Sequence, residues 1–145
     1  MTAITLTTVR RQTTQPSGST TAQVLLRVGM SVVSENSLYV RGDYNTVNKQ
    51  PTSVMADGFN ILSNSWDDAN SFSTNLDDRV ASNTTVQTAV ITGNEPTTLG
   101  NYNGGFENIH RFHEKWSGQT LTYSGSVAAL FESEYATGNW SYGNP

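Results

Sequence analysis

The sequence predicts a mainly β protein, and composition, alternation and turn residues all favour this fold class. Thr, Ser and Asn supply 20, 16 and 14 residues, which together make 50 of the 145. Their short polar side chains compete with the helix backbone for hydrogen bonds, whereas Thr suits a pleated sheet and Asn and Gly suit tight turns. The apolar segments are short, alternate with polar residues and end at Asn, Ser or Gly, which is typical of strands.

Strand candidates are distributed along the whole chain. The alternation predicts an edge strand over residues 4–9, and Pro16 and Gly18 predict a flexible loop over residues 12–21. Further strands are predicted over residues 23–28, 30–33, 38–43, 54–62, 86–93 and 121–131. The chain is expected to form a single domain over residues 1–145, because its length supports one core but not comfortably two.

Small residues at the centres of these segments favour parallel β-helix-like stacking, since stacked coils crowd one another at inward positions. These small residues are Gly42, Ala56, Ala89 and Gly125. Their spacing varies from 14 to 36 residues, so residues 63–83 and 94–118 are expected to leave the stack as loops. A β-sandwich is the alternative, and it requires antiparallel hairpins, for which Asn103-Gly104 is the one Asn-Gly turn signal in the sequence.

One or two short helices are expected within the loops. Residues 105–116 place Phe106, Ile109, Phe112 and Trp116 at intervals of three and four, which predicts an amphipathic helix bounded by glycines. Residues 65–73 are a weaker helix candidate, because their Asn and Ser residues oppose a helix.

Charge and composition exclude several classes of function. The net charge is −4 and Arg10-Arg11 is the one cluster among eight basic residues, so nucleic-acid binding is not expected. No apolar stretch approaches the roughly 20 residues of a membrane span. The absence of Cys excludes disulfides and thiolate chemistry. Residues 1–11 lack the order of a signal peptide, so an exported form of this chain is expected to be a portion of a longer protein.

Four blocks of sequence resemble one bacterial family. They are LYVRGDYN from residue 38, ADGFNILSNSW from residue 56, GGFEN with RF and WSG between residues 104 and 118, and LTYSGSV with ATGNW between residues 121 and 140. In this order they look like the C-terminal region of PilX-like, type IV pilus-associated exported surface proteins. The resemblance implies a surface location and a β-helix-like fold, and it implies no known reaction or catalytic residue. His110 and His113 depart from the family pattern.

One group of residues suits a divalent metal ion. Glu107, His110 and Glu114 are spaced three and four apart, so they share a face of the predicted helix and combine imidazole with carboxylate ligands. The alternative is a solvated helix face stabilised by ion pairs. His113 lies three residues after His110, which is not the spacing of the metalloprotease motif.

Aromatic and acidic residues give two other candidate sites. Trp140 and Tyr142 lie in a segment rich in Gly, Asn and Ser, where exposed rings could stack on a sugar, while Trp66 and Trp116 are expected in the core. The pairs Asp67-Asp68 and Asp77-Asp78 are expected to be solvated loop charges, although glycoside hydrolysis also uses two facing carboxyl groups.

No catalytic constellation and no cofactor motif is recognisable, so the chain is expected not to be an enzyme. The favoured hypothesis is a structural or assembly component of a secreted or cell-surface bacterial protein. Its expected partners are other surface or pilus proteins, including further copies bound through strand edges. The alternatives are a carbohydrate-binding module and a polysaccharide hydrolase or lyase, which would require Asp57, Asp67, Asp77 and Glu107 to converge.

Overall fold

The computed structural model describes the backbone of residues 4–7 and, in full, residues 29–100, 102–103 and 108–137. These residues form ten short strands and two three-residue 3-10 helices. The strands are β1 (Ile4–Thr7), β2 (Met30–Ser34), β3 (Leu38–Arg41), β4 (Thr52–Ala56), β5 (Phe59–Leu62), β6 (Thr84–Gln87), β7 (Ala89–Asn94), β8 (His110–Phe112), β9 (Leu121–Ser124) and β10 (Val127–Glu132). The predicted loop over residues 12–21 and the predicted strand over residues 23–28 lie outside the described residues.

The strands form three sheets, and every pairing among the described strands is parallel. Sheet A has the order β1-β3-β5-β8, sheet B has β2-β4-β7-β10, and sheet C has β6-β9. Tyr44 extends sheet C by a single parallel bridge to Val86. The prediction of a mainly β chain is confirmed, and its sheets are parallel. The alternative of a sandwich of antiparallel hairpins is wrong.

The chain visits the three sheets in a fixed order. From β2 onward it passes through sheet B, then sheet A, then sheet C, and then returns to sheet B beside the strand that it left. Parallel neighbours cannot be joined by a hairpin and need a crossover connection. Here the crossover between neighbours in one sheet is formed by the strands of the other two sheets.

The register of the strand pairs places core side chains of neighbouring strands beside one another. Leu38 lies beside Phe59 and Val40 beside Ile61 in sheet A, and all four side chains are fully buried. Each fully buried side chain of this size stabilises the fold by about 1.5–3 kcal/mol. The buried cluster comprises Leu38, Val40, Tyr44, Val54, Ala56, Phe59, Ile61, Val86 and Val90.

Sheet B carries one repeated side chain across its four strands. Val32, Val54, Val90 and Val127 occupy the same register position on β2, β4, β7 and β10. A β-branched side chain has few rotamers and packs well on a pleated surface. The identical neighbours therefore stack without a change of shape from strand to strand.

Polar side chains fasten the corners between strands. Asn64 accepts the N–H of Asp43 at 2.9 Å and donates to the Asp43 carboxylate at 3.0 Å and to the carbonyl of Asn83 at 2.9 Å. Asn45 has φ +58°, and its amide donates to the carbonyls of Gln50 at 2.8 Å and Gln87 at 2.9 Å. Asn suits corners because it tolerates left-handed dihedrals and bonds to nearby backbone groups.

The small residues are placed differently from the prediction. Ala56 is inward and buried, as expected. Gly42 lies at a corner with φ +72°, and Gly125 lies at the corner between β9 and β10. Ala89 opens β7 beside the outward-facing Ser53 and is only half-buried. Small residues are needed mainly where the backbone turns, because two chain segments approach closely there.

The predicted helix over residues 105–116 is wrong in its described part, because residues 110–112 form β8. His110 lies beside Phe59 and Phe112 beside Ile61, so alternation against a formed strand prevails over the three-and-four spacing.

Residues 63–83 leave the sheets as expected and contain the two 3-10 helices, Asp68–Asn70 and Leu76–Asp78. The second predicted loop, over residues 94–118, ends at residue 109, because β8 begins at His110. None of the described helices has the length and apolar content that crossing a membrane requires.

Gly125→Ala is expected to destabilise the fold, because the added Cβ would collide with the backbone carbonyl oxygen of Thr88. Gly100→Ala is the control, since Gly100 has φ +81° but no atom within 4 Å of an added Cβ, and it should cost about 1 kcal/mol of backbone strain. Urea unfolding should show a larger loss for Gly125→Ala. Equal losses would contradict the close packing at this corner.

Candidate functional site: the open edges of the last strands

Three consecutive strands are the last members of their sheets. β8 is the last strand of sheet A, β9 of sheet C and β10 of sheet B. Among the described residues, each of them pairs with another strand on one side only. An edge strand presents N–H and C=O groups that can pair with another chain. One end of the three sheets therefore offers three neighbouring parallel edges.

The hydrogen bonds of β9 define which of its residues face the open side. The backbone N–H of Thr84 donates to the carbonyl of Thr120 at 3.1 Å, and the backbone N–H of Thr88 donates to the carbonyl of Ser124 at 3.1 Å. Backbone groups of successive residues in a strand point to opposite sides, so those of Leu121 and Tyr123 face away from β6.

The inward side chains at this end are only partly covered. Phe112 is 42% exposed, whereas Ile61 beside it on β5 is fully buried. Trp116, Leu121 and Tyr123 pack on the buried cluster from one side and are half-buried. We call Phe112, Trp116, Leu121 and Tyr123, with the open edges of β8, β9 and β10, the end face.

An aromatic group lies beneath the end face. The ring of His110 lies 5.8 Å from that of Phe59 and 4.3 Å from that of Tyr123, both edge-on, and Phe112 meets Trp116 at 5.4 Å. The Nε2 atom of His110 is buried without a hydrogen-bond partner. Burial lowers the pKa of His110, so its imidazole is neutral at pH 7.

Tyr123 connects this aromatic group to the preceding corner. Its hydroxyl donates to the carbonyl of Thr88 at 2.6 Å, and burial raises the pKa of Tyr123 to about 12. The phenol therefore stays protonated and keeps the hydrogen bond over the physiological pH range.

Asp57 holds the segment that follows β10. Its buried carboxylate accepts the N–H groups of Glu134 at 2.5 Å, Tyr135 at 2.9 Å and Ala136 at 2.8 Å. The Ser133 hydroxyl donates to the Asp57 carbonyl at 2.9 Å. Hydrogen bonds to an ionised acceptor are about twice as strong as neutral ones, so this contact fixes the last strand of sheet B.

Glu114 makes the equivalent contact after β8. It is 6% exposed, and its two carboxylate oxygens accept the N–H and the hydroxyl of Ser63, both at 2.6 Å. Ser63 directly follows β5, the neighbour of β8 in sheet A. The Glu114 carboxylate therefore connects the corner after β8 to the corner after β5.

The predicted metal ligands do not share a helix face. His110 points into the aromatic group, Glu114 is bound to Ser63, and Glu107 lies outside the described residues. Within the described ranges, no three His, Asp or Glu side chains are grouped as metal ligands. With Glu107 not described, the metal site stays a prediction, but the helix on which it was based is absent over residues 110–112.

The predicted sugar-binding pair, Trp140 and Tyr142, lies outside the described residues and stays a prediction. Trp66 is buried at 9% exposure and its indole N–H donates to Asp68 at 2.7 Å. Trp116 packs on the core cluster. The expectation of a core residue is confirmed for Trp66, whereas Trp116 is half-buried at the side of the cluster.

The described acids of the hydrolase hypothesis have separate structural partners. Asp57 is bound to three backbone N–H groups, Asp67 accepts the N–H of Ala69 at 2.9 Å, and Asp77 pairs with Lys115. Glu107 lies outside the described residues. The sequence analysis named Asp57 only as a candidate catalytic acid and did not predict its contact with residues 134–136. It also did not predict Phe112 on a strand edge, although the alternation at 110 and 112 repeats that at 59 and 61.

Comparisons with protein-family models, with curated proteins and with solved structures find no match to this chain. The resemblance to PilX-like proteins is therefore still a prediction.

Asp57→Asn is expected to lower the free energy of unfolding by about 1.5–3 kcal/mol, because the amide loses the charge and directs an N–H₂ group at backbone donors. Asp67→Asn is the matched control at an exposed 3-10 helix cap, and it should cost much less. Urea unfolding monitored by tryptophan fluorescence measures both. Similar losses in the two variants would show that Asp57 does not hold the last strand.

Acid is expected to destabilise the fold through its histidines. Burial lowers the pKa of His110, and burial with nearby Arg79 and Arg111 lowers that of His113. The unfolded chain therefore binds more protons below its histidine pKa of about 6.5, and stability present above that pH is lost as the pH falls toward the folded values.

His110→Phe isolates one part of this effect, because a phenyl ring keeps the packing but cannot be protonated. The difference in unfolding free energy between about pH 7 and pH 5 should be smaller in His110→Phe than in the wild type. An unchanged difference would mean that His110 is not neutral and buried in the folded chain.

Proposed function

We propose that this chain is a segment of a parallel β-solenoid and acts as a non-enzymatic structural component of a bacterial surface protein. The observation that carries the proposal is the fixed order of sheets B, A and C, with three consecutive strands ending at the same side. In a solenoid, one circuit through the three sheets is a rung, and each rung contacts only its neighbours.

The end face supports a role in assembly. A terminal rung needs a cap or a neighbour, since its inward side chains are otherwise covered on one side only. Natural edges are blunted by Lys, Pro or bulges. β10 has a register irregularity between Ala129 and Phe131, but β8 and β9 contain neither Lys nor Pro.

The proposed occupant of the end face is a second copy of this chain, bound head to tail. Among the described strands, β1 and β2 are the outermost at the opposite ends of sheets A and B, and they run in the same direction as β8 and β10. Contact between unlike ends continues the parallel pairing, whereas contact between two end faces would pair strands antiparallel. Head-to-tail contacts that do not close produce open filaments.

A secreted or cell-surface location is part of this proposal. Only 14% of the residues are charged, the chain contains no Cys, and Thr and Asn are abundant. The resemblance to pilus-associated proteins adds other surface or pilus proteins as partners. No described feature gives specific support to the carbohydrate-binding or hydrolase alternatives.

Phe112→Lys is expected to block self-association, because pairing at the end face would bury a charge without a partner. The association constant should fall by at least about tenfold, which corresponds to about 1.4 kcal/mol. Light scattering after size exclusion, over a range of concentrations, measures this directly.

Phe72→Lys is the matched control, since Phe72 is 95% exposed in the excursion over residues 63–83 and lies outside the end face. It should associate like the wild type. A wild-type chain that stays monomeric at all concentrations, or equal weakening in both variants, would refute assembly through the end face.

A further inference from the structure

Three basic side chains lie together near the outer face of sheet A. Tyr39, Asn60 and Arg111 occupy the same register position on β3, β5 and β8. His113 follows Arg111 by two residues, and its Nε2 atom lies 2.8 Å from the Asn60 side-chain oxygen, with its ring 5.6 Å from that of Tyr39. The backbone of Arg79 lies beside that of Lys115, whose N–H donates to the Arg79 carbonyl at 2.8 Å, and the Arg79 charge acts on the His113 ring. We call Arg79, Arg111 and His113 the basic cluster.

Two guanidinium nitrogens in the basic cluster are buried without partners. They are Nε of Arg79 and Nη2 of Arg111. The Arg79 guanidinium does form one long hydrogen bond, in which Nη1 donates to the carbonyl of Ser71 at 3.4 Å. Among the described residues, the ion pairs are formed by Arg41 with Asp68 and by Lys115 with Asp77. A buried donor of a charged group that lacks a partner is costly, so it indicates a missing acceptor.

The two guanidinium groups act on the same ring. After burial, Arg79 and Arg111 are the causes that lower the pKa of His113. Burial also lowers the pKa of Arg111, and Asp57, Glu95 and Tyr39 oppose that effect without forming an ion pair with it. Three basic groups therefore act on one another around His113, and the carboxylates of Asp57 and Glu95 act on Arg111 from outside hydrogen-bond distance.

Neighbouring hydrogen bonds define the state of the His113 ring. The Asn60 amide nitrogen donates to the carbonyl of Leu38 at 3.1 Å, which directs the Asn60 oxygen toward His113. Nε2 of His113 must then carry the proton and donate it. A second proton would bind at Nδ1 and add a third positive charge to the basic cluster.

We propose that Arg79, Arg111 and His113 form a binding site for a small oxyanion that carries a sulfate, phosphate or carboxylate group. A guanidinium presents its N–H donors in a planar fork that matches such a group, and the two unpartnered nitrogens would supply hydrogen bonds. The bound anion would also offset the repulsion among the three side chains. This proposal does not rest on assembly through the end face, although Arg111 lies on β8.

Thermal unfolding of the full chain tests the proposal. Sodium sulfate, sodium phosphate and sodium acetate are titrated against sodium chloride at equal ionic strength, so the three arms distinguish the mineral anions from a carboxylate. At least one oxyanion should raise the Tm to a plateau, because binding to a single site saturates. General salting-out by sulfate or phosphate continues to grow with concentration and does not depend on these residues.

Arg111→Gln and Arg79→Gln should each remove the saturable part of the rise. Arg41→Gln is the matched control, because Arg41 already contacts Asp68 and donates to the carbonyl of Trp66 at 2.6 Å. It should keep the response. A second readout is the NMR titration of His113, whose pKa should rise when the anion is bound.

Three results would overturn the proposal. They are a Tm response that shows no saturable part for any of the oxyanions, a saturable response that survives in both cluster variants, and a His113 pKa that does not change with the anion. If Arg111→Gln does not fold, Arg79→Gln and the wild-type His113 titration still decide between binding and no binding.

Discussion

Parallel pairing in register is the constraint on which the rest of this structure depends. It places residues of one kind beside their equivalents, as in the four valines at positions 32, 54, 90 and 127 of sheet B. Because neighbouring strands of one sheet are separated along the chain by strands of other sheets, a side chain packs both along its own sheet and against the other sheets. The buried cluster is therefore shared by all three sheets, with members such as Leu38, Val54 and Val86.

The polar groups are organised by the same pairing. Asn45, Asn64, Asp57 and Glu114 all lie at corners or strand ends and bond to backbone or side-chain groups of another segment. Buried polar groups are tolerated when their hydrogen bonds are made. The basic cluster differs, because two of its buried nitrogens lack acceptors. His110 Nε2 is also buried without a partner, but it belongs to an aromatic group, whereas the two nitrogens of the basic cluster belong to charged side chains.

The sequence predicted the elements better than their arrangement. Local pattern identified the strands that contain Val32 and Val40. The segments predicted as single strands over residues 54–62, 86–93 and 121–131 are each divided into two strands that belong to different sheets. Local pattern could not identify β8, because three residues that include His110 and Phe112 also fit a helical spacing and become a strand only beside β5. The metal-site prediction depended on that helix. The structural role of Asp57 and the position of Arg111 could not be predicted, because they come from contacts with distant segments, such as Glu134 and Asn60.

The Asp57 carboxylate also determines how this molecule would respond to mechanical force. Three neighbouring N–H groups, at residues 134 to 136, converge on one side chain that lies directly after β4. Tension transmitted through residue 137 would reach these bonds before it reached the ladder between β10 and β7. The bonds at residues 136, 135 and 134 would be loaded in that order, so β10 would bear the tension only after the contact with Asp57 had been broken.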